Sequence, residues 1–410
     1  MMTPSLIDRM RAELGAALPL WDLSSQSTVS FLSHSENTTF LAQDPASGRR
    51  LVLRVQRIGY HTPAEIRSEL AWIDALIAEE IVVTPRPVAD GEGRSLCPIV
   101  LNGSPRQIAA FEYLSGKEPD PSDDLVAWFG KLGAISARLH AHSRRWKRPP
   151  DFQRKVWDFD AMLGTRPLWG DWHAGLGLRE DGRKLLQRVA DTFKQRLDTY
   201  GNTDDRFGLV HADLRLANLL VDGARLGVID FDDCGFSWFF YDFAAAVSFM
   251  EHEPVAAELQ ASWLDGYRAI APVSREDELM LPIFVMLRRM LLTAWIASHS
   301  DTGTARRLGN GLHRWNRRDG RAIPASALMV GRDETGRLFS FHSSLSFVPV
   351  LLSFQPCPRS RLGVPGLQRA TTGAAQPGRI PGTPASSQFP ISANDFSNFT
   401  TVSRNAKLRL

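Results

Sequence analysis

The chain has 410 residues, of which 43% are hydrophobic, so it can bury a large core, and its length suggests two or three domains or lobes. The formal net charge of +3 argues against a dedicated nucleic-acid-binding protein. The three cysteines, Cys97, Cys234 and Cys357, lack metal-ligand spacing, and a sparse, odd count is typical of a reducing cytosol. Residues 1–23 lack the uninterrupted apolar core of a signal peptide, and no apolar run approaches the length of a membrane span. We therefore expect a soluble cytoplasmic protein.

The first part of the chain is predicted to form an antiparallel meander followed by a helix. Three segments have the composition of strands, namely residues 28–33, 38–43 and 50–56. The third segment alternates, so that Leu53 and Arg54 point to opposite faces. Residues 63–80 begin with proline and carry apolar side chains at helical spacing, which predicts a helix.

The rest of the body is predicted to be mainly helical. Two further strands, at residues 99–101 and 106–111, come first. Helical periodicity then marks four segments, residues 121–142, 184–200, 255–270 and 274–298. Ser274 begins a sequence that resembles a capping box, and Asp242 is a suitable N-cap for a short helix after it.

Residues 157–178 are rich in tryptophan and contain several aspartates. Aromatic faces beside carboxylates suit a cationic acceptor, through cation–π contact and charge. The same composition also fits a loop anchored by buried tryptophans, which is the interpretation that we favour.

A short hairpin carries the chemistry. Two apolar runs, residues 219–221 and 226–229, flank the turn Asp222-Gly223. Four polar residues would meet at one end of this hairpin, His211, Asp213, Asn218 and Asp230. Phosphoryl transfer from a nucleotide needs one carboxylate to orient the attacking hydroxyl, and an amide oxygen plus a second carboxylate to hold magnesium. The spacing from Asp213 to Asn218 is that of a kinase catalytic loop, and Asp230-Phe-Asp232 stands where a kinase has Asp-Phe-Gly.

The sequences His211-Ala-Asp-Leu-Arg-Leu-Ala-Asn218 and Ile229-Asp-Phe-Asp-Asp233 resemble the catalytic core of the aminoglycoside phosphotransferase and choline kinase family. That family also includes homoserine kinase and stress-response kinases, and the resemblance runs from roughly residue 25 to 310. It implies an α+β, bilobal, protein-kinase-like fold, with a small antiparallel-sheet N-lobe bearing one helix and a mainly helical C-lobe. The implied divisions are a helical extension at 1–24, the N-lobe at 25–114, the C-lobe at 115–311 and a tail at 312–410.

The resemblance also implies how ATP is bound. Asn37 lies in the loop where a kinase covers the phosphates, although this loop has no glycine. Arg54 replaces the lysine that holds the α- and β-phosphates, and Glu69, with Glu65 as the competing choice, would pair with it. Two residues are expected at the hinge beside the adenine, Glu112 and Tyr113.

The expected catalytic residues are Asp213, Arg215 and His211. Asp213 would orient and deprotonate the acceptor hydroxyl, while His211 is expected to brace the loop. The partner of Arg215 is left open between phosphate, acceptor and another carboxylate. Asn218 and Asp230 would bind Mg²⁺.

The acceptor is expected to contact Asp232, Asp233 and Trp172. The two aspartates add negative charge after the metal site, and three roles stay open for them: attracting an amine, helping a second metal, or capping the following loop. The acceptor itself is left open among homoserine, choline-like amines, hydroxylated amino acids, aminosugars and protein serine.

We expect an enzyme that uses ATP and Mg²⁺ to phosphorylate a hydroxyl of a small molecule, without a nucleic-acid or membrane partner. A protein Ser/Thr kinase of the stress-response type is one alternative, but helix signals begin at Asp242 and leave no room for an activation segment. A nucleotide-binding pseudokinase is another. The glycine-free loop and Arg54 support it, whereas the intact Asp213, Asn218 and Asp230 oppose it.

The tail differs in composition from the body. From Arg317 onward it holds twelve basic and four acidic residues, a net charge of about +8, which leaves the preceding part near −5. It is rich in Arg, Pro, Gly and Ser, and we expect it to be poorly ordered and dispensable for chemistry. A non-native origin, such as a shifted reading frame, is one interpretation of it.

Overall fold

The computed structural model describes residues 4–34, 37–120, 122–175, 178, 180–299, 305, 330–332 and 338–340. Every element below belongs to the first of two compact units into which the chain divides. Most of the tail predicted to be poorly ordered lies outside the described residues. Its described part is a pair of short antiparallel strands, Val330–Arg332 and Leu338–Ser340.

The N-terminal part of the body is built from an antiparallel sheet and two helices. The helices are α1 (Pro4–Ala17) and α2 (Pro63–Ala78), and the strands are β1 (Thr28–His34), β2 (Thr38–Gln43), β3 (Arg50–Val55), β4 (Pro87–Val88), β5 (Cys97–Leu101) and β6 (Ser104–Glu112). The strand order is β1-β2-β3-β6-β4, and β5 pairs with β6. The meander predicted from the sequence is therefore present, with the strand limits correct to within about two residues.

The two faces of this sheet bury different elements. Leu51 and Leu53 pack with Met10 and Leu14 of α1, whereas Val52 belongs to the core that includes α2 and the following helices. Because β3 alternates, Arg54 lies on the same side as Val52 and points toward α2. The alternation thus delivers one buried cation to the side of the sheet that faces the second lobe.

A capping box fixes the start of α2. The Thr62 hydroxyl accepts a hydrogen bond from the Glu65 N–H at 3.2 Å, and the Glu65 carboxylate accepts one from the Thr62 N–H at 2.7 Å. Pro63 occupies the first helical position, where its missing N–H costs nothing. Glu65 is thereby committed to the helix end, and Glu69, one turn later, faces the interior.

The second lobe is mainly helical. Its helices are α3 (Leu125–Arg145), α4 (Phe159–Met162), α5 (Glu180–Tyr200), α6 (Tyr241–Ala246), α7 (Ala256–Arg268) and α8 (Arg275–Ser298), and its strands are β7 (Phe207–Val210), β8 (Leu219–Asp222), β9 (Arg225–Val228) and β10 (Gly235–Trp238). Strands β8 and β9 form the predicted hairpin, and β10 pairs antiparallel with β7. Helix α3 begins four residues later than predicted, because Asp124 caps it by accepting from the Ala127 N–H at 3.1 Å.

Helix α8 forms the core of this lobe. Ser274 caps it in the predicted capping box with Asp277. Within the described residues it is the one helix long and apolar enough to cross a membrane, but 72% of its apolar window is buried inside the protein. That burial is typical of the central helix of a soluble domain, and it is consistent with the predicted solubility.

Candidate functional site

The loop after β7 is held by a buried carboxylate from α6. Asp242 accepts hydrogen bonds from the N–H groups of His211 at 3.3 Å and Ala212 at 2.7 Å, and its Oδ2 also lies 3.0 Å from His140 Nε2. Ala212 takes the left-handed conformation, with φ of 67°, which turns the chain sharply at this point. The prediction that Asp242 caps a helix is therefore wrong, because the residue lies inside α6 and its carboxylate serves the loop instead.

The imidazole of His211 braces this loop. Its Nε2 donates to the Ile229 carbonyl at 3.1 Å, and its Nδ1 accepts from the Asp213 N–H at 3.2 Å. Burial lowers the pKa of His211 and outweighs the opposing effect of nearby carboxylates. Both ring nitrogens are thus occupied in a neutral ring, and this geometry suits the bracing role rather than proton transfer.

Asp213 is the centre of the loop, and its carboxylate is nearly buried. Oδ2 accepts from Asn218 Nδ2 at 2.7 Å and from Arg215 Nε at 3.1 Å. Oδ1 accepts from Arg288 of α8. Burial would raise the pKa of Asp213, but the charges of Arg215 and Arg288 outweigh it and the pKa lies below its usual value. Arg215, whose partner the sequence left open, thus contacts the Asp213 carboxylate, and its role toward phosphate or acceptor stays a prediction.

Arg288 was missed by the sequence analysis, which identified residues 274–298 only by their helical periodicity. The available signal was a cation within an otherwise apolar inner stripe, since a buried arginine needs partners.

Asn218 and Asp230 lie where the β8–β9 hairpin presents them. The Asn218 amide nitrogen is bound to the Asp213 carboxylate and carbonyl, so its oxygen is the atom left to act as a ligand. Asp230 takes the left-handed conformation, with φ of 62°. Burial, with the neighbouring Asp232 charge, raises the pKa of Asp230 to about 8. This crowding of carboxylates is the electrostatic setting that a divalent cation relieves.

Among the described residues, no group of three or more His, Cys, Asp and Glu side chains is placed to hold a metal by itself. Magnesium in nucleotide sites takes one or two protein carboxylates and completes its shell with phosphate oxygens and water. One carboxylate, Asp230, and one amide oxygen, Asn218, therefore fit a magnesium ion that arrives with a nucleotide.

Asp232 ties the first lobe to this site. Its Oδ2 accepts from Asn37 Nδ2 at 2.8 Å and lies 3.5 Å from His61 Nε2, and its Oδ1 is 3.8 Å from Arg54 Nη1. Burial would raise the pKa of Asp232, but the charge of Arg54 and the contact with His61 lower it below the usual range.

Asn37 was expected to cover phosphates, but the structure gives its side chain other partners. Its oxygen also accepts from the Arg57 N–H at 3.0 Å. Both ends of the amide are therefore engaged in joining the loop after β1 to Asp232, which makes Asn37 a link between the lobes.

The ion pair expected between β3 and α2 is present. Arg54 Nη1 and Nη2 donate to the two oxygens of Glu69 at 2.8 and 2.7 Å, in the bidentate geometry that a guanidinium favours. Arg54 Nη1 also lies 3.8 Å from Asp230 Oδ1. Glu65 is excluded as the partner because its carboxylate belongs to the capping box.

The expected hinge residues lie at the end of β6, with Glu112 as its last residue and Tyr113 directly after it. The N–H of Glu112 donates to the Arg86 carbonyl at 2.8 Å, and the N–H of Tyr113 donates to the Arg50 carbonyl at 3.2 Å. Neither N–H can be given to an adenine without loss of an existing hydrogen bond. The carbonyl and side-chain groups of these two residues are therefore the ones left to contact an adenine.

An aromatic wall, defined as Tyr60 and Trp169, lies beside Asp233. The Tyr60 hydroxyl donates to Asp233 Oδ1 at 2.6 Å and accepts from Trp169 Nε1 at 2.9 Å. The Arg288 guanidinium lies 5.3 Å from the Trp169 ring, so this wall extends from Asp213 toward Asp233. Trp172 does not take part in these contacts, because it is buried in the core and stacks on His173.

Tryptophans of the 157–178 segment are buried, as the favoured interpretation predicted. Trp169 also donates its indole N–H to the wall. Binding of a cationic acceptor by this segment stays a prediction. Neither Tyr60 nor His61 was singled out from the sequence, since a Tyr-His pair in a turn carries no distinctive spacing.

Known proteins resemble this chain over most of the described residues. The family model of the phosphotransferase enzyme family matches residues 28–273. The solved structure of a microcompartment-associated aminopropanol kinase is 43% identical, has a TM-score of 0.68, and covers 73% of this chain and 93% of its own.

Two further comparisons involve amicoumacin kinases. That of Bacillus subtilis (strain 168) is 25% identical over 291 residues, which is 68% of this chain and 83% of the relative. The structure of amicoumacin kinase hAmiN with AMP-PNP, Ca²⁺ and Ami has a TM-score of 0.62 at 22% identity, covers 76% of this chain and 95% of its own, and shows the fold alone. The predicted α+β, kinase-like fold class is confirmed.

Proposed function

The chain belongs to the phosphotransferase enzyme family, and on this premise we propose that its acceptor is a small amino alcohol of the aminopropanol kind. The reaction is ATP-dependent transfer of a phosphoryl group to a hydroxyl of a small molecule. The observation that carries the choice of acceptor is the 43% identity, over 93% of its length, to an aminopropanol kinase. The two amicoumacin kinases are less similar, with sequence identities of 25% and 22%.

Asp213 is assigned to the acceptor hydroxyl. The hydroxyl loses its proton to the carboxylate as its oxygen bonds to the γ-phosphorus, and the bond from that phosphorus to ADP breaks. A pKa held low by Arg215 and Arg288 keeps Asp213 ionised, so that it can accept this hydrogen bond at neutral pH. His211 and Asp242 keep the loop in place during the transfer.

Two further groups are assigned to the nucleotide. Asn218 and Asp230 would hold Mg²⁺, which when bound neutralises phosphate charge and aligns the γ-phosphate. Arg54, oriented by Glu69, is assigned to the phosphates from the side of the first lobe. Support comes from the convergence of both groups, since Arg54 Nη1 lies 3.8 Å from Asp230 Oδ1.

The acceptor amine is assigned to Asp233 and the aromatic wall. Asp233 supplies a carboxylate, and Tyr60 already accommodates one ammonium group, because Lys155 Nζ lies 3.5 Å from its ring centroid. A protonated amine close to the reacting hydroxyl would gain attraction from the Asp233 carboxylate there, while Lys155 occupies the Tyr60 ring face. Asp232 is assigned a structural role instead, since Asn37 and His61 occupy it.

A cytosolic location is part of the proposal. It is supported by the two described cysteines, Cys97 and Cys234, which are buried free thiols, and by the burial of α8. A protein-kinase activity is less well supported, because α6 begins at Tyr241, soon after Asp230, and leaves no room for an activation segment between the two.

The test is a substrate panel measured by ADP release from ATP and Mg²⁺. Aminopropanol should give the highest kcat/KM, above ethanolamine, homoserine and choline. Propanol, which lacks the amine, should be at least about 100-fold worse, as expected when a charged pair is lost. A higher kcat/KM for homoserine or choline, or equal use of propanol, would reject the amino alcohol assignment.

A substitution of Asp233 tests the assigned position of the acceptor amine. Asp233→Asn should raise the KM for aminopropanol by roughly 10- to 100-fold and leave the KM for ATP unchanged. The matched control is Asp198→Asn, since Asp198 lies exposed on α5 with Lys194 as its partner. An unchanged KM for aminopropanol in the Asp233 variant would remove this residue from the site.

A further inference from the structure

Helix α8 carries a buried arginine whose contacts converge on the catalytic loop. Arg288 Nη2 donates to Asp213 Oδ1, Nη1 donates to the Ala212 carbonyl and the Tyr241 hydroxyl, each at 3.3 Å, and Nε donates to Ser248 Oγ at 3.2 Å. Arg288 is 3% exposed, so these hydrogen bonds replace its lost hydration. A buried cation with four hydrogen bonds around the catalytic loop indicates a role beyond packing.

The two oxygens of Asp213 are not equivalent. Oδ2 accepts from Asn218 and from Arg215, and two donors fill the lone pairs of one carboxylate oxygen. Within the described part of the chain, Oδ1 accepts one hydrogen bond, from Arg288 Nη2. Oδ1 therefore keeps one lone pair, and it is the oxygen able to receive a hydroxyl proton.

We propose that Arg288 is a positioning residue that selects Oδ1 of Asp213 as the proton acceptor and fixes the direction of its remaining lone pair. This inference rests on the role assigned to Asp213 under the proposed function. Arg288 also donates hydrogen bonds to Ala212, Tyr241 and Ser248. These three contacts orient the planar guanidinium independently of the Asp213 carboxylate. The carboxylate then aligns to the arginine.

The proposal makes the position of the acceptor specific. Its O–H must approach Oδ1 from the side opposite Arg288, with its oxygen in line with the γ-phosphorus. In the transfer the O–H bond breaks, the oxygen–phosphorus bond forms, the bond to ADP breaks, and the proton ends on Oδ1. Arg288 keeps its charge throughout and loses no proton.

A double-mutant cycle tests whether Arg288 acts through Asp213. Arg288→Met, Asp213→Asn and the double variant are assayed with the best acceptor of the panel. Arg288→Met should lower kcat by about 100-fold, the loss expected from a misplaced reacting group, with the KM for ATP unchanged. The double variant should be no worse than Asp213→Asn alone, because the arginine has nothing left to position. Arg288→Lys, which keeps the charge, should recover part of the kcat.

Two further variants keep the test decisive. Tyr241→Phe removes one anchor of Arg288 without touching Asp213 and should cost about fivefold in kcat, the worth of one neutral hydrogen bond, even where Arg288→Met does not fold. The matched control is Arg289→Met, on the next residue of α8, which pairs with Glu251 at 3.6 Å among its contacts, and it should retain kcat.

The outcomes separate the two proposals. Wild-type kcat in both Arg288→Met and Tyr241→Phe, or fully multiplicative losses in the cycle, would overturn the role of Arg288. Full turnover by Asp213→Asn would instead remove the premise, the role of Asp213 itself.

Discussion

The pair between Arg54 and Glu69 should be asymmetric in its effect on stability. Both side chains are buried, and removing one partner of such a pair typically costs about 3–5 kcal/mol. In Glu69→Gln, Arg54 Nη1 still lies 3.8 Å from Asp230 and from Asp232, so the guanidinium keeps two neighbouring carboxylates. The loss in free energy of unfolding should therefore be near 3 kcal/mol. Arg54→Met instead leaves three carboxylates without their shared cation, and the cost should be near 5 kcal/mol.

These values predict measurable differences in thermal stability. With roughly 3 °C per kcal/mol, Tm should fall by about 9 °C in Glu69→Gln and about 15 °C in Arg54→Met. The double variant should be more stable than Arg54→Met alone, because Glu69 is then no longer a buried, unpaired charge. Thermal and urea denaturation of the full chain would measure all three variants.

Nucleotide affinity provides the second measurement for the same variants. Arg54→Met should weaken binding of an ATP analogue by about 10- to 100-fold, the worth of a charge-assisted contact, and Glu69→Gln by less. If Glu69→Gln is as destabilising as Arg54→Met, or if the double variant shows the sum of the two losses, then the shared-cation argument is wrong.

Two other predictions concern the second lobe. Gly133→Ala should lower the free energy of unfolding by about 3 kcal/mol or more, because the new Cβ would lie 1.9 Å from the Trp263 carbonyl where α3 crosses α7. Gly15→Ala, with open space around it in α1, should raise the free energy of unfolding by about 0.5–1 kcal/mol. Urea denaturation would compare the two variants, and equal effects would contradict the packing argument. Burial lowers the pKa of His140 and of His142 below the usual 6.5. The unfolded chain therefore binds protons that the folded chain excludes, so stability is present above about pH 6.5 and is lost as the pH falls toward 5. Thermal melts between pH 7 and 5 should show this slope, His142→Gln should reduce it, and a pH-independent Tm would contradict it.

Short-range patterns predicted the local structure well. The meander, the hairpin of β8 and β9, and the capping box at Ser274 depend on residues within a few positions of one another. The hairpin also predicted that Asp213 and Asn218 lie close together, and Asn218 Nδ2 donates to Asp213 Oδ2 at 2.7 Å. The functional roles of these residues stay predictions until the variants are assayed.

Partners distant in sequence could not be predicted in this way. Arg288 and Asp213 are 75 residues apart, and Asn37 and Asp232 are 195 apart, so no local period links them. Asp242 shows the same limit, because a turn before a helix predicts a cap, whereas the packing of α6 aims the carboxylate at the catalytic loop instead.

The sequence by itself determined which residue types stand at the hairpin, because they lie within a short stretch of chain. It also determined which face of each strand and helix is apolar, because apolar residues repeat with the period of the backbone. Only the tertiary structure decided which charges meet. The partners of Asp213, Asp232 and Asp233 come from both lobes, and a buried charge takes whichever donor the packing of the lobes brings within hydrogen-bonding distance.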